Sequence, residues 1–181
     1  MPPLALPDPP LSDGVVALRG FEPGDVDALV AALQDPEIPR WTLVPSPYGA
    51  DDARDYMRYM NAGRAKGLRL SLAIVDAADQ RVLLGSVALN PIDWEQGAAD
   101  VGYWLAAHAR GRGHATRAVE LLAQWALATL GLQRLELRAQ EANHASRAVA
   151  ARAGFVPVAA PVVRRPECDD LPDVYFARVR G

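Results

Sequence analysis

Apolar residues along this chain follow two rhythms, and the change between them comes at residue 105. Three runs, 69–75, 81–89 and 98–105, are rich in Leu, Val, Ile and Ala, and only Asp76–Gln80 and Asn90–Gly97 separate them. Such runs read as strands. Connections that short suit antiparallel neighbours and leave no room for a crossover helix. Beyond 105, Ala115, Val119, Leu122, Ala126 and Leu130 recur at helical spacing, and Leu130-Gly131 ends the helix. A strand at 134–139 follows, then a helix from Asn143 to Ala153 closed by Gly154, a strand at 155–160 and a last one at 174–179.

Upstream, the pattern predicts a strand at 15–19 and a helix at 25–34, started by Asp25 and stopped before Pro36. A Pro-rich loop spans 36–49, and Asp51 or Asp52 caps a helix running to 65. Residues 1–13, with five prolines in the first ten positions, read as an irregular arm ahead of one domain, 14–181. The predicted class is α+β: a mixed sheet, antiparallel in its N-terminal strands, with one central βαβ crossover.

Composition narrows the function. A chain of 181 residues with 50% hydrophobic and 23% charged positions is a globular domain with a sizeable core. No apolar run approaches the roughly 18–20 residues of a membrane span. Arg19 is the first positive charge, so the charged start of a secretory signal is missing. The single Cys168 excludes an internal disulfide and a cysteine-based metal cluster. Together these predict a cytoplasmic protein that engages no membrane. The net charge of −3 argues against general nucleic-acid binding. Lys66 is the only lysine among 19 basic residues and follows no Gly-rich loop, so a P-loop is absent. His108, His114 and His144 have no metal-ligand spacing and read as surface or capping residues; no metal is expected. Cys168 lies in Glu167-Cys-Asp-Asp, where the carboxylates disfavour the thiolate that a nucleophile needs.

The chemistry concentrates in Val101 to Thr116, a strand, a loop with two glycines, and the start of a helix. Unpaired N–H groups and the positive end of the dipole make a helix start an anion site. Gly111 and Gly113 allow close approach and positive φ. No acidic residue occurs from 101 to 119, whereas Arg110, Arg112 and Arg117 all do. A pyrophosphate is the simplest ligand for such a basic island. A dinucleotide fold competes, with Glu136 as its ribose acid. It is disfavoured because Thr116 stands where that fingerprint needs glycine, and because three strands without intervening helices precede the crossover.

The motif Arg/Gln-x-x-Gly-x-Gly/Ala, met by Arg110, Gly113 and Ala115, resembles the signature of the GNAT superfamily of acyl-CoA-dependent N-acetyltransferases. The closer resemblance is to its RimJ/RimL branch, which acetylates ribosomal-protein amino termini. It rests on Val101-Gly-Tyr-Trp-Leu105, Ala109–Thr116, Glu141-Ala-Asn-His-Ala-Ser146, Ala153-Gly-Phe155 and Trp-x-x-x-Pro-x-Pro at 41–47. The similarity runs from residue 13 to the end of the chain.

This resemblance implies an enzyme moving an acetyl or other acyl group from acetyl-CoA to a primary amine, a protein N-terminus included, in a ternary complex. Arg110, Gly111, Arg112, Gly113, His114, Ala115 and Thr116 would hold the pyrophosphate. The pantetheine arm would pair with the strand carrying Trp104 and Leu105, and an N–H near Leu105 would polarise the thioester. Asn143 would reach the pantetheine amide and Ser146 would protonate the leaving thiolate, although both residues also suit an ordinary helix start. Trp41 and Tyr48 would line the amine pocket. Asp100 is the candidate general base, with a water chain or Tyr48 as alternatives. A homodimer is compatible with the sequence, and a non-catalytic acyl-CoA-binding module is the rival function.

Overall fold

Val16–Arg19 and Leu70–Val75 are buried on both faces, which requires packing on both sides of the sheet that contains them. The computed structural model describes residues 3–163 and 173–181, and Cys168 lies outside that range. Its strands are β1 (Leu11–Ser12), β2 (Val16–Arg19), β3 (Leu70–Asp76), β4 (Leu83–Asp93), β5 (Ala98–Leu105), β6 (Arg134–Gln140), β7 (Val156–Val158) and β8 (Asp173–Val179). Its helices are α1 (Val26–Ala32), α2 (Glu37–Trp41), α3 (Ala50–Ala65), α4 (His114–Ala128) and α5 (His144–Arg152). The strands form one sheet in the order β1-β2-β3-β4-β5-β6-β8-β7. Only β5 and β6 run parallel, and α4 makes the crossover between them. The α+β class and the central βαβ unit are as the sequence predicts.

Alternation along the strands divides the core. Leu70, Leu72, Ile74, Val87, Leu89 and Val101 face α4 and α5, where Val119, Leu122, Ala126 and Ala150 cover them. Ala73, Val75 and Leu83 face the other way, against Leu29, Leu33, Ile38, Tyr48 and Ala53 of the α1–α3 layer. Each layer buries one stripe of its helices.

Three local predictions change. Leu11–Ser12, expected to be irregular, pairs with Ala17–Leu18, and Leu4 is buried with its N–H donating to the Arg64 carbonyl. The predicted loop 36–49 contains α2, because Pro39 falls in the helix's first turn, where a missing N–H costs nothing. The N-cap of α3 is Gly49, while Asp52 sits at the third helical position and accepts the Gly49 N–H at 2.8 Å.

Arg19 and Asp25 tie β2 to the start of α1. Their side chains form a buried bidentate pair at 2.8 and 2.9 Å, and Arg19 also donates to the carbonyls of Gly20 and Gln80. Burial opposes ionisation of Asp25, but the Arg19 guanidinium and the Glu22 N–H outweigh it and hold the carboxyl below its usual range. A depressed carboxyl stabilises the fold above its unfolded-state pKa and loses that contribution as pH falls through the folded value. Asp25→Ala should therefore cost about 3–5 kcal/mol in denaturant unfolding at pH 7, because it strands a buried guanidinium. The difference from wild type should begin to shrink as pH falls past the ordinary aspartate range, about 4. It should vanish only once pH has fallen through the lower folded-state value and the wild-type carboxyl takes up its proton.

Candidate active site

Pairing between β5 and β6 is limited to three residue pairs, Ala98–Arg134, Ala99–Leu135 and Asp100–Glu136. Both strands continue past that point, β5 to Leu105 beside β4 and β6 to Gln140 beside β8, with no partner between them. A wedge-shaped gap opens there. Its cause lies on the far side of β5, where β4 carries a bulge: Leu89 pairs with Val101 and Ile92 with Ala99, so Asn90 and Pro91 together oppose Asp100. Pro91 has no N–H to give to the ladder, and a bulge bends the strand it interrupts. The strand pair thus divides at the residue where the ladder is disturbed.

The gap exposes backbone groups. Ala106 N–H donates to the Leu84 carbonyl at 2.9 Å, toward β4. Peptide groups alternate sides along a strand, so the N–H groups of Leu105 and Tyr103 point away from β4 and into the gap. At the wide end lies the loop before α4. Gly111 and Gly113 adopt φ of 74° and 79°, and a Cβ at either would meet nothing within 4 Å, so conformation rather than space demands glycine there. Among the described residues, no backbone N–H from Gly111 to Thr116 finds an acceptor; the first helical bond is Arg117 N–H to the Gly113 carbonyl. The buried Nδ1 of His114 also lacks a partner. Buried or clustered donors without acceptors cost free energy unless a ligand or water meets them. This donor set fits a polyanion such as a pyrophosphate.

The charges are arranged differently from the expected basic island. Arg110 turns back from the loop: its guanidinium pairs with Asp35 at 2.7 Å and donates twice to the Leu105 carbonyl, at 2.9 and 3.2 Å. Its N–H is directed at the Ala107 carbonyl. Arg110 is therefore a strut joining the loop, the end of β5 and the α1–α2 turn. Arg117 pairs with Asp13 at 2.6 Å. Arg112 alone of the three is exposed with no ion pair among the described residues.

Across the gap, Asn143 caps α5 by accepting the Ser146 N–H at 3.0 Å. Ser146 has a second contact, through its hydroxyl, that the sequence reading missed: Tyr103 donates its phenol proton to Ser146 Oγ at 3.1 Å. Burial raises the Tyr103 pKa against the opposing effect of that hydrogen bond, so the phenol stays protonated and remains the donor. Ser146 can then direct its own proton elsewhere. The signal was present in the sequence, since Tyr103 and Trp104 are adjacent on a strand and must face opposite ways.

Trp104 faces the α1–α3 layer, away from the gap's helical side. With Tyr48, Tyr56, Leu29 and Leu33 it lines a cavity of about 520 Å³. Tyr48, expected in the amine pocket, lines this cavity, and Trp104, expected along the cofactor, presents its side chain to it as well. Trp41 does not line it; its indole N–H donates to Glu37 and its ring lies 4.7 Å from the Arg40 guanidinium. Tyr56 bonds Ser71 at 2.7 Å, and Ser71 bonds Ser86 at 3.2 Å beneath the cavity floor. Asp100 is 2% exposed and shares the Trp104 face at the closed end of the gap.

Comparison with known proteins agrees with this geometry. A sequence profile described as the acetyltransferase (GNAT) domain matches residues 16–156. YdaF of Bacillus subtilis (strain 168), provisionally named a ribosomal N-acetyltransferase, is 36% identical over 149 residues, 78% of each chain. Among solved structures, the Salmonella typhimurium acetyl transferase that modifies the N-terminal serine of ribosomal protein L7/L12 superimposes with a TM-score of 0.76. It is 22% identical, with 94% of this chain and 97% of that one covered. Mycobacterium smegmatis RimJ, solved with CoA-disulfide, gives 0.77 at 23% identity, covering 98% and 85%. These likenesses show a shared fold, while the profile and the bacillar relative show the family and set aside the non-catalytic rival. The chain belongs to the GNAT family and is an acyl-CoA-dependent N-acyltransferase.

Proposed function

We propose that the protein transfers an acetyl group from acetyl-CoA directly to a primary amine while both are bound. The observation that carries this reading is the gap between β5 and β6, closed at Asp100 and Glu136 and open toward six unpaired N–H groups. A pantetheine arm can pair with the inward N–H groups of Tyr103 and Leu105 as an added strand would, with the pyrophosphate on residues 111–116 and Asn143 beside the arm. Arg110 serves by holding the loop, and Arg112 supplies the charge. The acceptor nitrogen attacks the thioester carbon, a C–N bond forms, and an inward N–H of β5 stabilises the oxyanion. The C–S bond then breaks, the thiolate takes its proton from Ser146, and the second proton that the nitrogen sheds as the amide forms returns through solvent to the serine oxygen.

The acceptor arrives as an ammonium and must lose a proton first. Tyr48 is a poor base, since burial, with lesser effects of Tyr56 and Asp52, pushes its pKa up to about 12. Asp100, on the acceptor face of β5, is the proposed base. The likeness to YdaF and to the enzyme that modifies the L7/L12 N-terminal serine supports a protein amino terminus as one acceptor class. That no helix among the described residues is long and apolar enough to cross a membrane is consistent with the cytoplasmic location proposed from the lone cysteine.

Three measurements test the reading. Gly113→Pro removes an N–H and forbids the observed φ, so calorimetric affinity for acetyl-CoA should fall at least about tenfold. Gly113→Ala keeps the N–H and should mainly cost stability, about 1 kcal/mol. Equal affinity in a folded proline variant would remove the loop from the site. Ser146→Ala should lower kcat by roughly 10²-fold while the KM for acetyl-CoA stays within about twofold; an unchanged kcat would leave Ser146 as a helix-start residue. Asp100→Asn should cut kcat/KM by about 10²–10⁴ at pH 7, with the deficit shrinking toward pH 9 as free amine accumulates. Tyr48→Phe should leave the pH 6–9 profile in place, because a phenol near pKa 12 does not titrate there.

A further inference from the structure

The cavity on the α1–α3 face has a chemical character that narrows the acceptor. Its inner wall is apolar and aromatic, built by Leu29, Leu33, Val44, Tyr48 and Trp104. The charged side chains along it are both acidic, Asp52 and Asp55. Asp55 already has Arg58 as a partner, whereas Asp52 accepts only the Gly49 N–H and pairs with no cation among the described residues. Inside, the Tyr48 hydroxyl has no hydrogen-bond partner among the described residues although Tyr48 is only 7% exposed. Tyr56, by contrast, is satisfied by Ser71. An unpartnered phenol near an uncompensated carboxylate suits an N–H⁺ donor. At the mouth, Leu43 and Tyr59 are 58% and 56% exposed, and the Arg69 guanidinium lies 4.0 Å from the Tyr59 ring, so that Leu43 is the open apolar position of the rim.

A polypeptide laid into this cavity would have to satisfy its peptide groups. The lining offers few uncharged polar side chains for this, chiefly Asn90 and the Tyr48 hydroxyl, since Tyr56 is bonded to Ser71. Burying unpaired peptide groups against such a wall costs several kcal/mol. An acidic acceptor would meet Asp52 and Asp55. What remains is a compact molecule with an apolar body and a primary ammonium, small enough for about 520 Å³. We propose that the preferred acceptor is a small free alkyl- or arylalkylamine, its apolar body held between Tyr48, Leu33 and Trp104 and its cation drawn in past Asp52. This deepens the proposed acetyl transfer and rests on it.

The test compares three acceptors at fixed saturating acetyl-CoA: 2-phenylethylamine, 4-aminobutyrate and a tetrapeptide beginning with serine. The expected result is a kcat/KM for 2-phenylethylamine at least tenfold above both others. Two variants on exposed positions separate recognition from folding. Asp52→Asn keeps an oxygen for the Gly49 cap but removes the charge, and Leu43→Arg puts a cation at the mouth. Each should raise the KM for 2-phenylethylamine about fivefold, less at high salt, without moving the KM for acetyl-CoA. Calorimetry of 2-phenylethylamine binding to the CoA-loaded protein gives a readout independent of turnover. A peptide or aminobutyrate used as well as the arylalkylamine, with acetyl-CoA consumed normally, would overturn this acceptor while leaving acetyl transfer intact. Failure to bind acetyl-CoA at all would overturn both.

Discussion

Everything in the site depends on β5 and β6 ceasing to pair after Asp100 and Glu136. A parallel pair that continued would consume the peptide groups of Tyr103 and Leu105 and leave a closed sheet. Because it stops, two strands of one sheet present unpaired edges to each other in the protein's interior. Exposed edges ordinarily invite adventitious strand addition. Here the edge lies between the layer of α1–α3 and that of α4 and α5, which leaves room for an added chain only along the strands. Part of the opening originates on the opposite side of β5, in the Asn90–Pro91 bulge of β4.

The two faces of the sheet divide the labour. On one, α4 and α5 supply the helix start and the Asn143–Ser146 turn, both governed by local backbone rules. On the other, α1, α3 and the loop that precedes α3 supply the cavity, a product of long-range packing. Adjacent residues of β5 serve both: Tyr103 reaches Ser146, and Trp104 forms cavity wall. A strand is well suited to this, since neighbouring side chains leave it in opposite directions at fixed separation.

That division also explains what the sequence disclosed. The loop glycines, the βαβ unit and the Asn143 cap were legible because each depends on residues close together in the chain. The Arg110 ion pair was not legible because its partner Asp35 is remote in sequence, and nothing local marks an arginine that is paired elsewhere in the fold. The Tyr103–Ser146 contact joins β5 to α5 across the gap and leaves only the alternation of Tyr103 and Trp104 as its trace. Helix α2 was hidden by its proline, and the Asp52 cap by an offset of three positions that places the capping acid inside the helix rather than at its threshold.

The Arg110 strut bears on how such a protein can change. One guanidinium fork meets the Asp35 carboxylate and the Leu105 carbonyl, acceptors fixed on two different segments. A lysine, with a single nitrogen and no planar fork, could not span both in the same way. The segment from Pro36 to Gly49, which gives the cavity Leu43, Val44, Pro45 and Tyr48, is anchored at one end by that pair and at the other by the Asp52 cap. Between those anchors, substitutions can reshape the chamber without disturbing the thioester half. New acceptors would then be acquired by rewriting one loop, with the inherited chemistry left in place.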